Sequence, residues 1–473
     1  MVGFYFPDGN DEFEYDVRGL MTSFFPGEEP VKLNRRPDAE EALVYDSVLE
    51  IPAFPEITDK GERKNATKRT FYRQLSALTG GKELPWGTLT GIRPTKLITS
   101  FLEEGVPEYD TASEKGFRSL MKERCLISEE KLDLAVRIAR EEQKVLAGIH
   151  YENGYSLYCG IPFCPSRCLY CSFTAYPIAA FAGKVDDYLS ALFHEMEETA
   201  VIMRGKILDT VYIGGGTPTA ISAEQLDRVL DKIGETFDLS RLQEFTVEAG
   251  RPDSISREKL QVLKKHGVSR ISVNPQTMND KTLELIGRRH SVEETVRAFT
   301  LAREEGFDNI NMDLILGLPG EGPREMEETI RQIEALQPDS LTVHALAVKR
   351  ASRLKMEANG AVIPGPGQID SEEMMRIASE GAGRMGLVPY YLYRQKNMAG
   401  NLENVGFAKP GKAGLYNILI MEEKQSIAAL GAGTVSKAVH PDGRIERADD
   451  VKDLKEYGER IEEMIERKRR LWR

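Results

Sequence analysis

A chain of 473 residues exceeds what one core usually organises, so two or three domains are expected. Its formal net charge of -12 argues against sequence-independent binding to nucleic acid, whose affinity comes largely from Lys and Arg. The opening MVGFYFPDGN has neither a basic n-region nor an apolar core, and the least charged stretch, 155–183, is broken by Gly160, Pro162, Pro165 and Pro177; the reading is of a cytoplasmic protein without secretory signal or membrane span.

In chain order, residues 1–150 read as an α+β accessory domain. FYF is strand-like, DVRGLMTSFF helix-like and LVYDSVLEI strand-like; a basic helix runs from Thr58 to Leu78, and helices continue to Ile149 after PWGTLTGIRPTKL. The run GERKNATKRTFYR is expected to be a solvated helix face, and Cys125 a buried structural thiol.

Residues 151–350 alternate β-branched runs with stretches of helical period. Strands are expected from Tyr155, Asp209, Glu244, Ser269, Asn309 and Ser340, with five amphipathic helices between them. Six βα units in so short a span suit a partial, open-sided barrel. The unusual residues collect at the carboxyl ends of its strands: Cys164, Cys168 and Cys171 after the first, GGGTPT after the second, Glu248 closing the third, Asn274 and Gln276 after the fourth, Asp313 in the fifth and His344 closing the sixth. In α/β folds of this type the site forms on that rim.

Residues 351–473 read as a third, substrate-covering domain, a C-terminal α/β extension. It holds a helical segment, YYLYRQK, a strand-like YNILIM, SIAALGAGTVSK, and one charged amphipathic helix from Asp449 to Arg473.

Four of the five cysteines fall within YCGIPFCPSRCLYCSF. An odd cysteine count without a signal sequence favours metal or redox chemistry over disulfides. The spacing Cys164-x3-Cys168-x2-Cys171 suits zinc or an iron–sulfur cluster. Structural zinc requires four closed ligands, whereas three thiolates on a 4Fe–4S cluster leave one iron open. Three successive glycines, Gly214, Gly215 and Gly216, let the backbone approach a ligand closely.

The motif YxxIPFCxxxCxYCxF, with GGGTPT, Glu248 in TVEAGRP, Gln276 in SVNPQTM, Arg288 in LIGRRH and Asp313 in NMDLILGLP, resembles the radical S-adenosylmethionine (SAM) enzymes. Among them it is most similar to the oxygen-independent coproporphyrinogen III oxidase-like proteins, and the first 150 residues, with GIRPTKL, look like the HemZ branch. The resemblance implies a partial (β/α)6 radical SAM barrel. Carried over position by position, it implies that Cys164, Cys168 and Cys171 ligate a 4Fe–4S cluster, while Tyr158, Gly215, Glu248 and Ala347 touch the cluster-bound SAM. Contacts to a second SAM would fall on Tyr170, Gly216, Thr217, Gln276, Arg288 and Asp313.

The implied reaction is cleavage of SAM to a 5′-deoxyadenosyl radical, which takes hydrogen from a propionate of coproporphyrinogen III. Loss of carbon dioxide and one electron then leaves a vinyl group, and two rounds give protoporphyrinogen IX. The implied partners are a porphyrinogen or haem-like tetrapyrrole and a flavodoxin or ferredoxin type electron donor. A substrate with four carboxylates requires local cations on an acidic protein; Arg350 in KRASRLK and Arg394 in YYLYRQK are the candidates. The chain departs from the family's oxidases at Phe173, where they carry a further cysteine, at Gly160, where they carry histidine, and by the addition of Cys159. A haem-binding chaperone or haem-modifying protein is therefore the alternative.

Overall fold

The computed structural model describes residues 1–26, 28–91, 93–104, 114–347, 368–395 and 402–473. They form two compact units, Met1–Arg140 with Leu392–Glu403, and Glu141–Tyr391 with Asn404–Arg473.

In the first unit a parallel sheet runs in the order Val31–Lys32, Val2–Tyr5, Ser47–Glu50. Helices Glu14–Phe24 and Lys60–Leu78 bury Leu20, Met21, Phe24, Phe71 and Leu75 against Phe4, Leu49 and Ile51. The basic helix is thus more than a solvated face. Its Lys68 is buried, with Nζ 3.6 Å from Asp16 Oδ1, because a buried ammonium requires a counter-charge. Cys125 is buried as expected. Glu403 joins this unit through Trp86, whose Nε1 donates to it at 2.6 Å, and Lys131, whose Nζ lies 2.8 Å away.

The second unit carries the six expected strands: β1 (Gly154–Ile161), β2 (Ile207–Gly215), β3 (Glu244–Glu248), β4 (Arg270–Ser272), β5 (Ile310–Leu316) and β6 (Ser340–Ala345). Each is parallel to the next. The five expected helices connect them, Val185–Ile202, Ala223–Thr236, Arg257–Lys265, Val292–Glu304 and Pro323–Leu336. Ser222 and Ser291 close capping boxes and Ser256 caps the third helix, so these starts are written locally. A short helix, Asp280–Leu285, was not expected.

The described residues after 350 form no third compact unit. The strands β7 (Val388–Tyr393), β8 (Asn404–Ala408), β9 (Ser426–Leu430), β10 (Val435–Val439) and β11 (Ile445–Asp449) extend the same sheet, in the order β7-β8-β6-β5-β4-β3-β2-β1-β9-β10-β11. β8 is antiparallel to β6, and β9 is parallel to β1.

Two local readings are corrected. YNILIM lies in a helix, Leu415–Glu422, because the Glu244 carboxylate on β3 accepts from the amides of Leu415 and Tyr416 and so caps its first turn. Its apolar residues on several sides are those of a buried helix, with Leu415, Tyr416, Ile418 and Leu419 all buried. The charged C-terminal helix is two, Leu454–Glu459 and Ile461–Leu471; they part at Arg460, two residues after Gly458, a residue that weakens a helix. The break lets Tyr457 and Lys468 both reach Glu195. No helix among the described residues is long and apolar enough to cross a membrane.

Candidate functional site

Beyond β1 the chain passes Pro162 into the short strand Phe163–Cys164, which pairs in parallel with Tyr176–Pro177 and so closes a loop around Cys168 and Cys171. This loop is tied to its neighbours through its main chain. Leu169 N donates to Ile286 O at 3.0 Å, Gly216 N to Ile161 O at 2.9 Å, and Thr217 N to Phe163 O at 2.7 Å. A Cβ on Gly216 would stand 2.6 Å from Phe163 O, and Gly215 has a φ of +104°, so the glycine loop can lie against the cysteine loop only because it lacks side chains.

All three thiols are free; Cys168 is buried, Cys164 and Cys171 half-buried. Burial pushes the Cys164 thiol up to about 11, with repulsion from Cys171 and Cys168 adding to it. Cys171 is raised by burial as well. For Cys168 burial acts upward too, but Arg288 and Arg251, with hydrogen bonds from Arg288 and Tyr170, bring it below its ordinary value. Thr217 Oγ1 donates to Cys164 Sγ at 3.4 Å.

The donor set discriminates between metals. Tetrahedral zinc with Zn–S bonds of about 2.3 Å holds its sulfurs roughly 3.8 Å apart. Three thiols on one loop leave a tetrahedral zinc ion one protein ligand short of a closed structural site. Cys159 supplies no fourth ligand: it lies inside β1, fully buried, with its thiol raised by burial and by Glu195. Three free thiols with two guanidinium groups at Cys168 fit an anionic multi-iron cluster.

Further along the rim, the rings of Tyr158, Tyr212 and Tyr416 stack, with centroids 6.1 Å and 4.5 Å apart in the first and second pairs. Tyr212 donates to Glu248 Oε1 at 2.5 Å. Burial raises Glu248 to about 7, Asp313 adding to the shift while Tyr212 and His344 oppose it. A cationic ligand group placed there would draw Glu248 to its carboxylate form. Asp313 accepts from Asn311 Nδ2 at 2.7 Å and lies 3.9 Å from His344 Nε2; burial would raise it, but these partners hold it below the usual range.

Gln276 adopts φ +69° and is held there by its own main chain, its N donating to Asp313 O and its O accepting from Ile315 N. Its side-chain Oε1, together with Asn274 Oδ1 and Arg288 Nε, is buried with no hydrogen-bond partner. Each such orphan costs about 1–3 kcal/mol, and three on one rim mark a place for a polar ligand. Arg288 is buried and donates through Nη1 to Asn274 O.

Tyr170 packs on Leu283, Ile286, Ile315 and Leu318 and reaches Cys168. Ala347 is half-buried just beyond β6. Arg350, Lys349, Arg353 and Lys396 lie outside the described residues. Arg394 belongs to the first unit, where it is 4% exposed and donates to the carbonyls of Leu89 and Leu402; burial lowers it to about 10. Read from the sequence as a candidate cation for substrate carboxylates, it is here a buried tie to main chain.

Arg251, in TVEAGRP, was missed. It is 3% exposed and lies 3.6 Å from Cys168 Sγ through Nη1. The available signal was an arginine just past the third strand, two residues before an aspartate able to hold its fork.

The radical SAM superfamily model matches residues 158–333. The chain is 42% identical over 422 residues to the oxygen-independent coproporphyrinogen-III oxidase-like protein HemZ of Bacillus subtilis, covering 88% of this chain and 82% of that one. It is 36% identical over 279 residues to the heme chaperone HemW of the same organism, covering 59% of this chain and 69% of that one. Among solved structures, the radical SAM enzyme coproporphyrinogen III oxidase (HemN) of Escherichia coli matches with a TM-score of 0.53 at 23% identity, over 69% of this chain and 73% of that one, a likeness of fold.

Proposed function

We propose, because this chain belongs to the oxygen-independent coproporphyrinogen III oxidase-like family of radical SAM proteins, that it oxidises tetrapyrrole side chains. The reaction is the decarboxylation of coproporphyrinogen III propionates to vinyl groups, giving protoporphyrinogen IX. Its cofactors are a 4Fe–4S cluster and SAM. When bound, they supply the radical that removes hydrogen from the substrate.

In this reading Cys164, Cys168 and Cys171 hold the cluster. Glu248 takes the SAM ammonium, whose charge offsets the burial of its carboxylate, while Tyr158, Gly215 and Ala347 line the same ligand. Tyr170, Gly216, Thr217, Gln276, Arg288 and Asp313 serve a second SAM. The observation that carries the reading is the set of buried orphans at Asn274, Gln276 and Arg288, which offers donors and acceptors to a further polar ligand beyond the one at Glu248. A flavodoxin or ferredoxin type protein supplies the electron.

A second reading, a haem-binding chaperone, is supported by the likeness to HemW and by Phe173, which stands 68% exposed on the cysteine loop as an apolar face for a macrocycle. Anaerobic incubation of the reconstituted, reduced protein with SAM and coproporphyrinogen III separates the two. Tripropionate and protoporphyrin products with 5′-deoxyadenosine are expected. Stoichiometric haem binding with neither product would reverse the ranking.

A further inference from the structure

Arg251 leads out of β3 and its guanidinium has five N–H groups. Five contacts surround it: Nε to Asp253 Oδ1 at 2.9 Å, Nη2 to Asp253 Oδ2 at 2.7 Å and to Ser166 Oγ at 3.2 Å, Nη1 to Ser166 O at 3.3 Å and to Cys168 Sγ at 3.6 Å. The bidentate carboxylate grips one edge of the fork, which fixes the other edge on the sulfur. Its main chain is fixed as well. Ser254 Oγ donates to Arg251 O at 2.7 Å and shares a 2.6 Å hydrogen bond with Thr219 Oγ1, in the glycine loop.

We infer that Arg251 is a positioning residue that sets the reduction potential of the cluster on Cys164, Cys168 and Cys171, by directing Nη1 at the Cys168 sulfur. Reduction adds negative charge that the ligand sulfurs share. An N–H donor and a cation at that sulfur stabilise the reduced form and raise the potential. Arg288 also faces Cys168 and hydrogen-bonds to it, while its Nη1 donates to Asn274 O; Arg251 adds a second cation at the same sulfur, one whose aim is set by Asp253. This inference rests on the cluster and not on the tetrapyrrole.

The test is an EPR-monitored redox titration of the reconstituted full chain, without SAM or tetrapyrrole, alongside iron and sulfide content. Arg251→Gln is expected to keep its iron while the reduced-to-oxidised ratio at fixed potential falls about tenfold, about 59 mV for one electron. Ser166→Ala removes a loop contact but leaves Nη1 on the sulfur, and its midpoint should stay within about twofold in ratio of wild type. Full iron with an unchanged midpoint in Arg251→Gln overturns the proposal, as does a Ser166→Ala shift of equal size. If Arg251→Gln fails to load iron, Arg251→Lys decides, since lysine keeps the charge without the fork: a lowered midpoint supports the assignment and an unchanged one overturns it.

Discussion

On one side of β1, Tyr158 stacks into the ring of tyrosines beneath a rim where Asn274 Oδ1, Gln276 Oε1 and Arg288 Nε are buried without partners. On the other side, Cys159 and Tyr188 lie near a charged cluster in which the named groups answer one another. There Lys468 Nζ sits 2.6 Å from Glu195 Oε1 and 2.8 Å from both oxygens of Asp450; Tyr457 and Gly431 N complete Glu195, and Thr434 completes Asp450. Burial, then repulsion from Glu195, raises Asp450 to about 8, against the pull of Lys468. Both regions bury polar atoms at depth. What separates a ligand site from a structural tie is whether the protein satisfies those atoms by itself.

The contrast is broken most sharply at the cysteines. Alanine at Cys164, Cys168 or Cys171 should abolish stable iron loading, whereas Cys159→Ala should retain it; iron and sulfide assays with the visible spectrum decide. Next comes the satisfied side. Lys468→Met leaves Glu195 and Asp450 buried without their cation and should cost about 3–5 kcal/mol in urea unfolding.

At the unsatisfied rim, Glu248→Gln should weaken SAM binding about 10–100-fold by equilibrium titration. Wild-type affinity should fall toward about tenfold per pH unit below about 7, as Glu248 takes up its proton, and the variant should lose that slope. For stability the sign is opposite. The folded value of about 7 lies above the unfolded value near 4.3, so the contribution of Glu248 is full below about 4.3 and is lost as pH rises through 7. The smallest effect is at Phe173. Its exposed ring makes Phe173→Ala worth less than about 0.5 kcal/mol, with iron content unchanged.

How much of this was legible in the sequence follows from how far apart the partners are. The six strands and five helices of the barrel were legible because their signals are local: a change of hydrophobic period and serine caps such as Ser222 and Ser291. The cysteine and glycine loops were legible as motifs. YNILIM was not, since a short apolar run is ambiguous and the deciding cap, Glu244, lies 171 residues from Leu415. The supposed third domain dissolved for a related reason: β8 and β9 find their places against β6 and β1 through pairings no local pattern announces. Arg251 was overlooked because Ser166 and Cys168 stand 85 and 83 residues away in the chain. The orphans at Asn274, Gln276 and Arg288 are defined by missing partners, which only packing reveals.

The pairing of β9 with β1 also has a consequence in time. Tyr155 meets Ser426 and Cys159 meets Leu430, so the strand leading to the cysteines gains its second neighbour about 270 residues after it is made. A ribosome adding roughly 5–20 residues per second takes about 15–55 s over that stretch. Throughout it the nascent strand carries a bare edge, open to pairing with another chain. Its thiols exist before the sheet that supports them is complete.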